Sequence, residues 1–367
     1  MRCCEQHSPP RHPPAGRRLS TARRCASVCR LFAQESLYYL FGYDGGGFVF
    51  FQCAIFPTDP AQPTALLCRK PDVAQAAHLF DLCEIWVNAN GADPAQDLVK
   101  LLRSANVQPG AVLGLETDTY GLTGRNLSLL NDALSASGHA PPKGPPTIEG
   151  SHIVRQLRLV KSAAEIETMR KANELADAAI MAAYEAARPG ILDSVAFLPR
   201  PLLALTTPTS RLRLRCGAQV VSGAAYNAMI SGGGDLPPSW LVNSGSAATY
   251  GRSITGSREL EPQDQLVLEI CGVFHRPAPL QTRLFDSPAG RLRGSPAACR
   301  YCCVNERTII LGTPSALQLR MYEVVTGAIE AMMAVARPGI TLGELYDAYV
   351  VFYDDAGFGG APTQPWR

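Results

Sequence analysis

The stretch SAAEIETMRKANELADAAIMAAYEAARPGI, Ser162 to Ile191, returns later in the same chain as SALQLRMYEVVTGAIEAMMAVARPGI, Ser315 to Ile340. Each copy opens with a Ser three residues before a Glu or Gln, Ser162/Glu165 and Ser315/Gln318. At that spacing the Ser oxygen takes the third backbone N–H of a helix while the acid or amide reaches back to the cap. Apolar residues follow at helical spacing: Ile166, Met169, Ala176, Ile180 and Ala183 in one copy, Met321, Val325, Ala328, Met332 and Val335 in the other. Both end in Ala-Arg-Pro-Gly-Ile, where Pro stops the helix and Gly supplies the reversal. Two helices of about the same length with the same exit predict one half-domain present twice.

Working outward, Ser137 to Ser151 is rich in Gly and Pro and reads as a linker, 137–151. Before it, strands are expected at Phe48–Phe56, Ala65–Cys68, Leu82–Val87 and Ala111–Glu116. A helix is predicted from Asp93 and Pro94, and another over Leu122–Ala136. Alternating strands and helices make residues 31–136 an α/β domain. Gly45-Gly-Gly47 precedes a strand and lacks both a Lys and a helix start, so a tight turn fits it better than a phosphate cradle. Residues 1–30 differ in texture, with seven Arg, four Cys and a single acid, Glu5. They read as a disordered or transit-like segment, or as upstream sequence wrongly included in the frame.

The totals set wider bounds. A chain of 367 residues, 46% apolar, has material for two cores. A formal charge of +2 makes no case for nucleic acid, and no apolar run reaches the length of a membrane span. Twelve scattered Cys read as reduced thiols, which places the protein inside the cell, in the cytoplasm, or in an organelle if residues 1–30 are an import signal.

Two sets of residues carry a family resemblance. Arg158-Leu-Val-Lys161-Ser-Ala-Ala-Glu165-Ile166, its Ala-rich helix and Arg188-Pro-Gly190 resemble the entry to the creatinase / prolidase / aminopeptidase P family. Ala33 to Asp44, with Tyr39-Leu-Phe-Gly-Tyr43, is similar to the signature of that family's N-terminal domain. The resemblance implies a creatinase-type α/β N-terminal domain followed by an α+β pita-bread domain, here incomplete, over 152–367. It also implies hydrolysis of C–N bonds in small peptides of the Xaa-Pro type, or in amide or amidine metabolites, by a homodimer.

Against that pattern the chain departs in two places. Between Asp193 and Asp235 there is no acid, and Pro199, Pro201 and Pro208 interrupt any helix, so the first copy is expected to have lost its second helix to an insert near 197–218. Thr341/Glu344 after the second copy instead predicts a clean capped helix through Tyr353. In the family an acid stands fourteen residues before an Arg-Thr pair, whereas Glu269 and Arg307 are 38 apart. Removing 277–300 restores the spacing, as if both stretches were translated introns or similar intrusions.

The resemblance further implies two divalent ions held by two Asp, one His and two Glu, a donor set able to make hydroxide at neutral pH. In register, Glu269 falls on the first acid, Val304 on the second and Arg252 on the substrate His. No His follows His275, so no metal cofactor is expected in this chain. Glu269 and His275 remain as catalytic candidates, His275 reading more readily as an exposed turn residue. Arg252 and Arg307 remain as substrate-binding candidates. Glu269 and Arg307 would hold a zwitterionic substrate, or simply pair with each other across two strands. The alternative function is a pita-bread fold that binds a partner without catalysis. Cys299-x-x-Cys302-Cys303 has zinc-like spacing without a second pair, and Gly232-Gly-Gly234 lacks the helix of a dinucleotide fingerprint.

Overall fold

The computed structural model describes residues 28–43, 50–57, 62–79, 83–88, 93–111, 113–139, 147–189, 218–235, 240–249, 255–256, 258–278 and 297–358. Two compact units emerge. One comprises Met1–Leu175, Gly233–Asp235 and Gly272–Cys303; the other comprises Ala176–Gly232, Leu236–Cys271 and Val304–Arg367.

The first unit holds a six-stranded sheet built from β1 (Val28–Leu31), β2 (Cys53–Pro57), β3 (Ala65–Arg69), β4 (Glu84–Asn88), β5 (Leu113–Leu115) and β6 (Thr147–Glu149), in the order β4-β3-β2-β1-β5-β6. Helix α1 (Gln34–Phe41) follows β1; α2 (Pro94–Ser104) precedes β5 and α3 (Gly124–Ala136) follows it. One apolar cluster joins Ile55, Leu67 and Leu113 to Leu98, Leu101 and Leu102 of α2, while another gathers Leu37 and Phe41 of α1 with Leu66 and Leu79. The Gly of the Tyr-Leu-Phe-Gly-Tyr signature ends α1: Gly42 sits at φ 74° and donates to the Tyr38 carbonyl at 2.7 Å, a left-handed cap natural to glycine. The other end of α1 is held by a buried acid from the end of β5. Glu116 Oε2 accepts from the Phe32 and Ala33 amides at 2.9 Å each, and Oε1 accepts from the Ser36 hydroxyl.

Several expectations change here. Strand β1 begins at Val28, inside the segment expected to be disordered; residues 1–27 lie outside the described ones. The expected linker carries β6, which pairs parallel with β5 through Leu113↔Thr147 and Leu115↔Glu149. A three-residue edge strand completed by a distant partner leaves no periodic signal, so composition alone reads it as linker. The strand expected at Phe48–Phe56 is shorter and starts at Cys53, with Phe50 lying under the Arg69 guanidinium at 3.7 Å.

Helix α4 (His152–Leu159) leads to α5 (Ala163–Ala186), the first copy of the repeat, whose cap is the expected one. Glu165 N–H donates to Ser162 Oγ at 3.3 Å and Ser162 N–H to Glu165 Oε2 at 2.6 Å. The buried stripe of α5 runs through Ala172, Leu175, Ala176, Ala179 and Ala183, whereas Ile166 is 42% exposed. Small side chains on that stripe permit close approach of neighbouring backbone.

The second unit contains α6 (Ala218–Ser231), where the reading of Pro and missing acids expected no helix. Its run Ala218–Ser231 has no Pro, and Val221, Ala225 and Met229 at four-residue spacing are fully buried. Strand β7 (Leu241–Ser244) joins β8 (Gln265–Ala278) and β9 (Ala297–Ile310) in a sheet of order β9-β8-β7. Both long strands run into the stretch expected to be an insert, to Ala278 and from Ala297; residues 279–296 and 190–217 lie outside the described ones. The second copy is α7 (Ala316–Val335), followed by α8 (Leu342–Asp355), and both have full capping boxes, Ser315/Gln318 and Thr341/Glu344. Gly327 of α7 is where α8 presses closest, since a Cβ there would stand 2.3 Å from the Phe352 ring.

Candidate functional site

Strand β8 separates an apolar face from a polar one. Leu266, Leu268 and Ile270 are fully buried, and between them Glu269 is half-buried on the opposite face, as strand alternation requires. Antiparallel pairing with β7 sets Leu241 opposite Glu269 and Asn243 opposite Val267. Glu269 and the buried Asn243 therefore share a face as diagonal neighbours, a spacing that long side chains span. Nothing in the chain's local pattern marks Asn243, because its position beside Glu269 depends on a partner strand 26 residues away.

The entry to β8 is clamped by charge. Arg258 pairs with Asp264 and, at 3.3 Å, with Glu261, and donates to Ser244 Oγ at 3.2 Å. Leu311 N–H donates to the Asp264 carbonyl at 2.8 Å, which ties the end of β9 to the same turn. Gly245, at φ 57°, lies so close to the Arg258 guanidinium that a Cβ would stand 2.7 Å from its carbon. Beside this sheet, Trp240 stacks on Tyr226 at 3.9 Å between centroids and donates its indole N–H to the Cys271 carbonyl at 3.1 Å. Burial raises the Tyr226 phenol above its ordinary pKa, so it stays protonated at neutral pH.

The residues named from sequence are distributed as follows. Arg307 is exposed on β9 and donates to the Glu306 carbonyl at 2.7 Å; no ion pair among the described residues joins it to Glu269. His275 falls within β8 rather than at a turn, because the strand runs on to Ala278; its side chain, like all of Arg252, lies outside the described residues. Val304 is 52% exposed and offers only hydrocarbon.

The other face of β9 is polar and meets α5. In the first unit Tyr301 donates to Glu165 Oε1, and Cys303 Sγ to Asn173 Oδ1 at 3.3 Å. In the second unit Asn305 donates to Asp177 Oδ1 at 2.8 Å. Glu165, read from sequence only as half of a capping box, thus also receives a strand side chain. The same alternation turns Cys302 and Cys303 to opposite sides of β9, so the zinc-like spacing there does not converge on one ion.

Two bridged divalent ions need several oxygen and nitrogen ligands. Here the position of the second acid is Val304, and among the described residues no three His, Cys, Asp or Glu side chains gather to hold an ion. Among the described residues, no helix is long and apolar enough to cross a membrane.

Comparison with known proteins agrees with this architecture. The model of metallopeptidase family M24 matches residues 295–364. An uncharacterised peptidase of Staphylococcus saprophyticus is 25% identical over 206 residues, 56% of this chain and 45% of the relative. The Xaa-Pro dipeptidase of Pyrococcus furiosus is 22% identical over 207 residues, 56% of this chain and 46% of its own. The matches thus span less than half the length of these relatives. Among solved structures, the Xaa-Pro dipeptidase from Bacillus anthracis aligns with 94% of this chain and 78% of its own at TM-score 0.66 and 19% identity. The prolidase from Pyrococcus horikoshii aligns over the same shares at TM-score 0.67 and 17% identity. The chain has the pita-bread fold of these structures, and residues 295–364 are similar to metallopeptidase family M24.

Proposed function

We propose that this chain binds a small zwitterionic ligand, of the class of Xaa-Pro peptides or small amides and amidines, at the Glu269 face of its three-stranded sheet, and lacks two-metal hydrolysis. The observation that carries this is the donor set: a carboxylate at Glu269, and hydrocarbon at Val304. A carboxylate beside a buried amide suits the ammonium or amidinium end of such a ligand. The relatives' peptidase names support the ligand class. The test is to assay the full chain on Xaa-Pro dipeptides with manganese, cobalt or zinc, and to measure binding of the same peptides by calorimetry. Binding without turnover, abolished in Glu269→Gln, is the expected result; metal-dependent turnover overturns it.

A second reading, a pita-bread protein that engages another macromolecule without catalysis, is favoured instead if the peptides do not bind. The same account takes 31–136 and 152–367 as two domains, the second interrupted near 197–218 and 277–300. A transcript without those codons supports interruption; one carrying both rejects it.

A further inference from the structure

Helix α8 carries a row of tyrosines on one side. No residue of the helix is buried; α7 meets it at Gly327, and Arg320 of α7 donates to the Ala356 carbonyl at 2.7 Å just past its end. At 3.6 residues per turn Tyr346, Tyr349 and Tyr353 fall within about 60° of one another. Their rings follow in sequence, 6.4 Å and then 4.5 Å between centroids. Tyr346 is 51% exposed and the other two are half-buried.

The same helix is acidic. Its 14 residues include Glu344, Asp347, Asp354 and Asp355 and no Lys, Arg or His. Asp347 and Asp354 stand together, about 80–100° round the helix from Tyr346, so two carboxylates line one edge of the row. Among the described residues no ion pair engages either of them.

We propose that this row is a docking surface for an extended segment of another protein, rich in proline and arginine. Spacing is the first argument. In a polyproline II helix every third residue returns to the same side, about 9.3 Å further along the axis. Tyr346 and Tyr353 lie about 10.5 Å apart along α8, so prolines three residues apart meet successive tyrosine faces. Such a segment is already extended before it binds and loses little conformational freedom. Its carbonyls are free of internal hydrogen bonds and accept from the Tyr346 hydroxyl. Charge is the second argument. Arginines of the segment reach Asp347 and Asp354 as charge-assisted pairs and stack on the adjoining rings. An anionic surface or a second copy of α8 would be repelled by the four carboxylates, and an uncharged segment would leave them unused. The surface is independent of whether Glu269 binds a ligand.

A peptide of this chemistry can be copied from the chain itself: residues 7–24 hold four Pro, five Arg and no acid, with Pro10 and Pro13 three apart. The test is fluorescence anisotropy of that labelled peptide, titrated with the full chain from about 1 to 300 µM. The titration is repeated with the full chain carrying Pro10→Ala and Pro13→Ala, whose own copy of the sequence then does not compete. Saturable binding is expected in at least the second titration. In that background Tyr346→Ala and Asp347→Lys, each at an exposed position, are expected to weaken it at least ~10-fold. Both should keep the native far-ultraviolet circular dichroism. A peptide with the same two prolines replaced by alanine and every Arg kept should also lose at least ~10-fold, which separates reading of proline from charge alone. Tyr120→Ala, on an 84% exposed residue outside α8, is expected to leave binding unchanged. No saturation with either chain, equal binding of the two peptides, or binding that survives Tyr346→Ala or Asp347→Lys would overturn the proposal.

Discussion

Helices α5 and α7 share a cap, a length class and an exit, yet their surroundings differ. The first keeps its stripe of alanines from water and meets β9 through Glu165, Asn173 and Asp177. Only Val324 and Ala328 of α7 are buried. The lesson is that the repeat encodes the helix and its ends, while the covering is specified elsewhere in the chain. Local sequence determines where a helix starts and stops; burial depends on which strands arrive.

This difference is open to attack at matched positions. The largest effect is expected from Leu175→Ala, which empties a buried site on α5 and should cost about 2–4 kcal/mol in urea unfolding. Its counterpart Val324→Ala, buried but smaller, should cost less. Next comes Ala176→Leu, which overpacks a fully buried site and should cost about 1–3 kcal/mol. The matching Val325→Leu, at a 42% exposed site, should stay within about 0.5 kcal/mol. If both cost the same, the two helices are equally covered in solution and the contrast fails.

Gly327→Ala sharpens the comparison further. Its counterpart on α5 is Ala178, an exposed position that accepts a methyl group, whereas on α7 the new methyl meets the Phe352 ring. Loss of about 1–3 kcal/mol from overpacking would exceed the gain of about 1 kcal/mol in helix propensity. Thermal melts of Gly327→Ala and of Ala178→Gly separate the two terms.

Removing the caps should treat both copies alike. Ser162→Ala and Ser315→Ala are each expected to cost about 1 kcal/mol by chemical denaturation, since both boxes are formed. Unequal losses would mean that one cap owes its strength to its surroundings rather than to its sequence.

The smallest expected effect lies outside the repeat, at Glu116. Burial raises the carboxyl above its ordinary pKa, against hydrogen bonds from Ser36, Ala33 and Phe32 that lower it. A folded pKa above the unfolded one means the native state binds more protons between the two values. This group's contribution is therefore greatest below the unfolded pKa and declines as pH rises through the folded one. Glu116→Gln, which keeps an acceptor for the two amides, should flatten that part of the stability–pH profile. An unchanged slope would place the titration elsewhere.

How much was legible follows from how local each signal is. The capping boxes at Ser162, Ser315 and Thr341, and the helix beginning at Pro94, are written in four or five consecutive residues, and they stand where expected. Helix α6 was obscured because its signal is apolar spacing without charge, behind a Pro-rich run. Strand β6 was hidden because its partner β5 is more than thirty residues away. At the site, Glu269 was legible as an acid within an apolar strand. Asn243 beside it, and the Tyr301–Glu165 contact, were not, since strand pairing and packing create both.

The most direct test of the functional account is elemental analysis of the purified chain after equilibration with manganese, cobalt and zinc and removal of free metal. The account predicts no stoichiometric metal, because Val304, at the register position of the second acid, offers no ligand. Two equivalents retained per chain would contradict it.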